Sequence, residues 1–401
     1  MRFILVFLLI LSNRIYSQIT PSTQGVYNKK TSTVSEESFA TLIQDGAYGE
    51  VTWTKNMSSY SVSMWIDSRD TDPDMYESSF STHYPNNNGF QINSDGNYAY
   101  EFLGIGASGL FEGSFGPNTI KTTWIHLAVV ANGSNTKLYY NGSLVLTLDD
   151  VSSVWNRINI SKNRIGDKKG DFYLDEIRVW EDIALSQEII QAWMHKPLDN
   201  SHPNYSDLAV YFQMNSNSIS GSTLSDASGN GNDATLNTSS GSVTNAKSNV
   251  PIVNLISGYQ TDVEAIWSST ETSDSDDSDG LKMSVSSTLA EANFVVFGNN
   301  NDNSGTTSSD IVGITKRSKR EWHFDESGTV TADVKIDISD ATGHTGSTSA
   351  ASNYKLLYAS CNGCTFVELD TGDSTSGDVV TFSNVAIKDG IYAIASADSN
   401  L

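Results

Sequence analysis

Residues 171–191 read DFYLDEIRVWEDIALSQEIIQ. The first ten are rich in aromatic and β-branched residues, as strands are, and the rest shift to a helical spacing. In an extended chain, successive side chains point to opposite faces. The spacing therefore predicts a β-strand with Tyr173, Asp175, Ile177 and Val179 on one face. Leu174, Glu176, Arg178 and Trp180 fall on the other. Asp175 then lies among apolar neighbours, where an ionised carboxylate needs backbone N–H donors, a cation or a metal. Glu176 and Arg178 read as an exposed ion pair of small energetic weight. Ser186 is an N-cap and Glu188 suits the positive helix start, which predicts a helix over 187–193.

The neighbouring acids raise the question of glycoside hydrolysis. Retaining chemistry needs two carboxyl groups about 5–5.5 Å apart on one side of a cleft. Two residues beyond Asp175 stands Ile177, and two beyond Glu176 stands Arg178, so neither face of the strand gains a second acid. No serine sits in a G-x-S-x-G elbow. His83, His126, His195, His202, His323 and His344 are scattered without metal-ligand spacing, and His126 is expected to pack across strands. No residue is assigned a catalytic role, and the chain is expected not to be an enzyme. The rival expectation is a glycoside hydrolase or the carbohydrate-binding part of one.

The same alternation runs outward from this strand. Tyr60, Val62, Met64 and Ile66 share a face in the stretch 60–66, and 124–130 reads as another strand. The chain turns at 131–135 and again at Asn141-Gly142, a pair suited to the positive φ angles of a type I′ hairpin. Short strands also recur from 281 to 395, Ile311–Thr315 among the expected ones. The fold class is all-β, with two antiparallel β-sandwich domains over residues 32–247 and 250–401. Ahead of them, Arg2, an apolar run over 4–11 and Ile15-Tyr16-Ser17 form a signal peptide over residues 1–17. Secretion or display at the cell surface follows, with no transmembrane segment in the mature chain.

The chain carries 24 basic against 47 acidic residues, a net charge of −23. That field opposes the approach of phosphate backbones, so nucleic acid is excluded as a partner. It favours cations, and it also serves solubility. The only cysteines, Cys361 and Cys364, lie in CNGC, a spacing open to a local disulfide or to two free thiols. The acidic run 274–279 lacks the acidic ligand that closes an EF-hand loop and reads as a solvated loop. The basic cluster 316–320 reads as a solvated hairpin or, alternatively, as a groove for an anion.

Four stretches taken in order resemble the LamG-like jelly rolls of the laminin-G/concanavalin A-like family. They are SVSMWID at 61–67, WIHLAVVANGSNTKLYYNGSLV at 124–145, the strand and helix quoted above, and 208–236 with its SDASGNGNDATL. The resemblance implies a two-sheet sandwich that binds glycans or extracellular proteins, often with one structural calcium, and that rarely carries catalysis. Residues 250–398 are similar, more loosely, to a β-sandwich module of large secreted proteins from Bacteroidota-type bacteria. Asp226, Asn230, Asn232 and Asp233 supply oxygen ligands of the hard kind calcium prefers, with Asp175 as a further candidate. The same residues also suit an Asx-rich turn bonded to its own backbone. Loops at the sandwich edge are the expected contact region for adhesion to a glycan or a surface protein, with Tyr98, Tyr100 and Trp155 as candidate sugar platforms. A spacer role in a surface polymer is the third expectation.

Overall fold

The computed structural model describes residues 39–401 apart from 69–75, 84–88, 95–98, 117–122, 167, 248–249, 253–254, 268–272, 277–278, 291–292, 304 and 309–310, and apart from the side chains of 247 and 273–276. The leader over 1–17 and Tyr98 lie outside the described residues. Residues Glu36–Leu401 form one compact unit. No described helix is long and apolar enough to cross a membrane.

The chain runs through β1 (Phe39–Gln44), β2 (Tyr48–Asn56), β3 (Ser59–Ser68), β4 (Ser78–Ser81), β5 (Gly89–Ser94), β6 (Tyr100–Gly106), β7 (Gly109–Phe115), β8 (Ile125–Asn132), β9 (Thr136–Tyr140), β10 (Ser143–Leu148), β11 (Val154–Ile160), β12 (Phe172–Glu181), helix α1 (Gln187–Met194), β13 (Leu208–Phe212), β14 (Ile219–Ser220), β15 (Thr223–Leu224), β16 (Ala234–Asn237) and β17 (Ser242–Lys247). The first sheet has the order β10-β9-β8-β3-β12-β1-β17, with β13 also paired to β12. The second has the order β14-β15-β16-β2-β11-β4-β5-β6-β7. Among the described residues every strand-to-strand pairing is antiparallel, as a jelly roll requires, and an isolated bridge from Ser78 to Lys169 runs parallel. Tyr60, Val62, Met64 and Ile66 point together into the core between the sheets, as their spacing predicts. The hairpin at Asn141-Gly142 takes φ of 47° and 72°. Ser186 caps α1 by accepting from the Ile189 N–H.

The β12 strand departs from strict alternation. Its register against β3 slips between Asp175 and Arg178, and Glu176 takes a φ of +51°. This is a β-bulge, and one extra residue reverses which face every later side chain meets. Phe172 and Leu174 before it and Ile177 and Val179 after it all face the core. Asp175 pairs opposite Trp65, and Arg178 opposite Ser63, on the outer face. The expected grouping of Asp175 with Ile177 and Val179 is thus corrected. Strict alternation would have driven either the acids or the branched residues into the wrong environment, and the bulge avoids both.

The outer face of the first sheet is buried as well. Helix α1 and the segments before and after it pack Leu185, Ile190 and Leu198 against Trp180 and Tyr211. Farther along, Trp65 and Trp124 meet Val263, Ala265 and Trp267. The Trp267 indole N–H donates to the Trp124 carbonyl at 3.0 Å, and that of Trp65 to Met194 at 2.7 Å. Residues 261–396 form two further antiparallel sheets, of eight and five strands, around their own core. Ile311–Thr315 is a turn there and not the expected strand. Val312 is wholly exposed and Gly313 has a φ of +84°.

Candidate functional site

Asp175 and Glu176, two of the three acids of β12, lie in a closed nest. Asp175 and Glu176 are only 2% and 3% exposed, and Arg178 is 2% exposed. The Glu176 carboxylate accepts from the Arg178 guanidinium and from the Tyr211 hydroxyl. Arg178 also donates to the Trp193 carbonyl at 2.8 Å and to that of Lys196. Tyr211 in turn accepts the Leu198 N–H at 3.1 Å. The expected exposed ion pair is therefore a buried one that staples the α1 segment to the sheet. Both acids do reach the same side of the sheet, contrary to the alternation argument, because of the bulge. The α1 segment covers Glu176, and Asp175 is buried opposite Trp65, so neither carboxylate faces an open cleft. The cavity between Arg178, His126, His202, Trp180 and Trp193 holds about 10 Å³, room for roughly one water.

The SDASGNGN stretch forms a turn at the free edge of β13. Asp226 Oδ1 accepts from the Tyr211 and Ser228 N–H groups, each at 2.9 Å. Its Oδ2 accepts from the Asn232 N–H at 2.9 Å and the Ser228 hydroxyl at 2.8 Å. Asp233 accepts the Asp226 N–H at 2.8 Å. The Asn230 and Asn232 amides turn their nitrogens toward the Leu208 and Ala209 carbonyls, at 2.7 and 2.9 Å. Asp226, Asn230, Asn232 and Asp233 are thus brought together, while Asp175 sits within β12 opposite Trp65. Calcium takes six to eight converging oxygens. Here the Asp226 oxygens are engaged by N–H and O–H donors and the amides present nitrogen, so this arrangement does not fit the ion.

Other candidates resolve locally. Tyr100 and Trp155 are core residues, 4% and 0% exposed, and not sugar platforms. Cys361 and Cys364 form a disulfide. Within the basic cluster, Arg317 pairs with Glu321 at 2.9 Å and Arg320 with the buried Asp279. That pairing also uses the last acid of the 274–279 run.

One arrangement escaped the sequence reading. The outward positions of six neighbouring strands of the second sheet align in register: Thr223, Thr235, Glu50, Asn159, Ser81 and Gln91. Every one is polar. Thr235 is exposed and Glu50 half-buried, whereas Asn159, Ser81 and Gln91 are covered. The cover is the segment after β11. Ser81 donates to the Lys162 carbonyl at 2.8 Å, and the Arg164 N–H donates to Gln91 Oε1 at 3.2 Å. Arg157 and Lys162 reach Glu50 at 2.7 and 3.0 Å. Burial pushes the Glu50 carboxyl up, but those two hydrogen bonds outweigh it and hold it below its usual range. Asn159 donates to Ser81 and to the His83 carbonyl, yet its own Oδ1 is buried without a partner. Burial, then the Arg164 charge, lowers the His83 pKa to about 4. The result is a polar floor, open at Thr235, Glu50 and Arg157, beside a basic wall. Only cross-strand register assembles it, and no local motif announces it.

Residues 267–391 match a domain of unknown function (DUF8202). No curated protein matches the chain in sequence. Among solved structures, a Bacteroides ovatus protein named for carbohydrate binding is 17% identical with a TM-score of 0.42, covering 54% of this chain. The match spans 61% of that protein's length. Domain 4 of an extracellular GH43 arabinanase from Geobacillus stearothermophilus, solved with arabinotriose, is 23% identical with a TM-score of 0.29, over 34% of this chain and 66% of that one. A Ruminococcus gnavus sialidase module (CBM40) bound to α2,3-sialyllactose is 11% identical with a TM-score of 0.27, over 35% and 92%. Residues 45–191 match the concanavalin A-like lectin/glucanases superfamily, which makes the first sandwich a LamG-like jelly roll of that superfamily.

Proposed function

We infer that this chain is a secreted glycan-recognition protein with no hydrolytic centre of its own. The observation that carries the reading is the polar file on the second sheet. A sugar offers vicinal hydroxyl groups that donate and accept together. The open end of the file sets a hydroxyl (Thr235), a carboxylate (Glu50) and a guanidinium (Arg157) side by side, which complements such a surface. The superfamily of residues 45–191 includes lectins, and it supports the same reading. The absence of hydrolysis rests on Glu176, buried against the α1 segment and bonded to Arg178 and Tyr211, and on Asp175, buried beside it. Export rests on the leader over residues 1–17. Adhesion to a surface glycan is the role that follows, with an extracellular protein as the other possible partner.

The test is a polysaccharide binding screen with the mature chain, run alongside an assay for newly released reducing ends. Binding to at least one glycan, lost in Arg157→Ala and accompanied by no release, is the expected outcome. Release of reducing ends that disappears in Glu176→Gln would replace the reading with glycoside hydrolysis.

A further inference from the structure

We propose that the glycan recognised at the polar floor is an acidic one, carrying carboxylate or sulfate groups, and that Arg164 and Lys169 pair with them; this rests on the glycan-binding reading above.

The chain as a whole is strongly acidic, yet five of its 24 basic residues fall within 157–169, against a single acid there, Asp167. The fold gathers Arg157, Lys162, Arg164 and Lys169 beside the floor. Arg157 and Lys162 share Glu50. The ammonium groups of Lys162 and Lys169 lie 4.0 and 5.4 Å from the centre of the Tyr48 ring, two residues before Glu50 on the same face of β2. Lys162 is only 6% exposed, so one of these cations is itself part of the packed wall. Asp171 is also near the segment and accepts the Asp45 N–H at 2.8 Å.

Two cations of the wall stand apart from this internal pairing. Among the described residues, the Arg164 guanidinium has no acidic partner, and the Lys169 ammonium contacts only the Tyr48 ring. Both side chains are partly exposed. Arg164 also sits close enough to His83 to depress its protonation, which places positive potential over the covered end of the file. A neutral sugar would leave those charges unused, whereas a uronate or a sulfate ester would form charge-assisted bonds with them. The net charge of the remaining chain does not veto this. At physiological salt the Debye length is about 8 Å, so distant acids are largely screened at the wall.

The experiment measures binding of the mature chain to polygalacturonate (carboxylate), to a sulfated galactan (sulfate) and to a neutral arabinan, all at physiological salt. Intact folding of each variant is checked by its melting curve. At least one acidic polymer is expected to bind about tenfold or more tightly than the neutral one. Arg164→Ala and Lys169→Ala are each expected to weaken it by about tenfold while leaving any neutral binding unchanged. The two acidic arms separate carboxylate from sulfate. Equal or tighter binding of the arabinan, insensitive to both substitutions, overturns the acidic-ligand proposal and leaves glycan recognition standing. Failure of every polymer overturns both.

Discussion

At the scale of single residues, two carboxylates show how surroundings assign a role. The sequence reads Glu176 as half of an exposed ion pair and Asp226 as a calcium ligand or an Asx-turn residue, and both are bound into the protein's own framework. Removing Glu176 leaves Arg178 buried without its carboxylate, an arrangement that destabilises proteins by about 3–5 kcal/mol. Glu176→Ala should therefore lower the urea unfolding free energy by that amount while glycan binding survives in the folded fraction. Asp226→Ala removes the acceptor of three backbone N–H groups and one hydroxyl, and should lower stability by about 1–3 kcal/mol. A chelator should leave the melting temperature of the wild-type chain unchanged. A fall of several degrees on chelation, reversed by calcium, would mean that the turn rearranges around an ion. The sequence named the right residues for this turn, because Asx side chains bond within a few positions of themselves, but their donors could not be separated from ligand oxygens without coordinates.

At the scale of elements, local chemistry was legible and pairing was not. The Asn141-Gly142 turn and the Ser186 cap follow from φ preference and from side-chain reach, both of which act within four residues. Gly142 shows how such a turn becomes tied to its surroundings. Its φ is +72°, and an added Cβ would lie 2.9 Å from Gln191 Cγ and 3.2 Å from Met194 Sδ, both on α1. Gly142→Ala should lower stability by about 1–3 kcal/mol, read by thermal melting, with the loss partly relieved when Gln191 is shortened to alanine. The bulge at Glu176 went unseen, since an extra residue in one strand is defined only against its partner β3. The polar floor went unseen for the same reason: its members lie as far apart as Glu50 and Thr235 in sequence.

At the scale of the whole molecule, the first sheet is covered by α1 and by the second sandwich, and three histidines are sealed at that joint. His195 holds the Pro251 carbonyl at 2.8 Å between Trp65 and Trp267. Burial, followed by its hydrogen bond and the Arg178 charge, leaves its pKa at about 4, and burial with Arg178 does the same to His202. His126 is pushed well below the usual 6.5 by burial, Arg178 and His195. The unfolded chain thus binds more protons than the folded one between about pH 6.5 and 4, so stability is full above that window and falls as the pH drops through it. Arg178, Lys196 and Glu176 lie around these rings, with Asp199 and Asp207 beside His202; the two cations oppose protonation, and Asp199 and Asp207 favour that of His202 without offsetting burial. Melting temperatures measured from pH 7 to 4 should fall, and His195→Asn, which can keep a donor for Pro251, should flatten the decline. An unchanged slope would mean that this joint does not govern the acid limb. The sequence by itself determined that the chain is all-β, that its strands carry a core-facing alternation, and where its tight turns and helix cap lie, because these depend on residues a few positions apart. Only the tertiary structure decided that Asp175 and Glu176 are buried and that distant polar residues align into one floor. Burial and cross-strand register are relations between segments, and no single segment contains them.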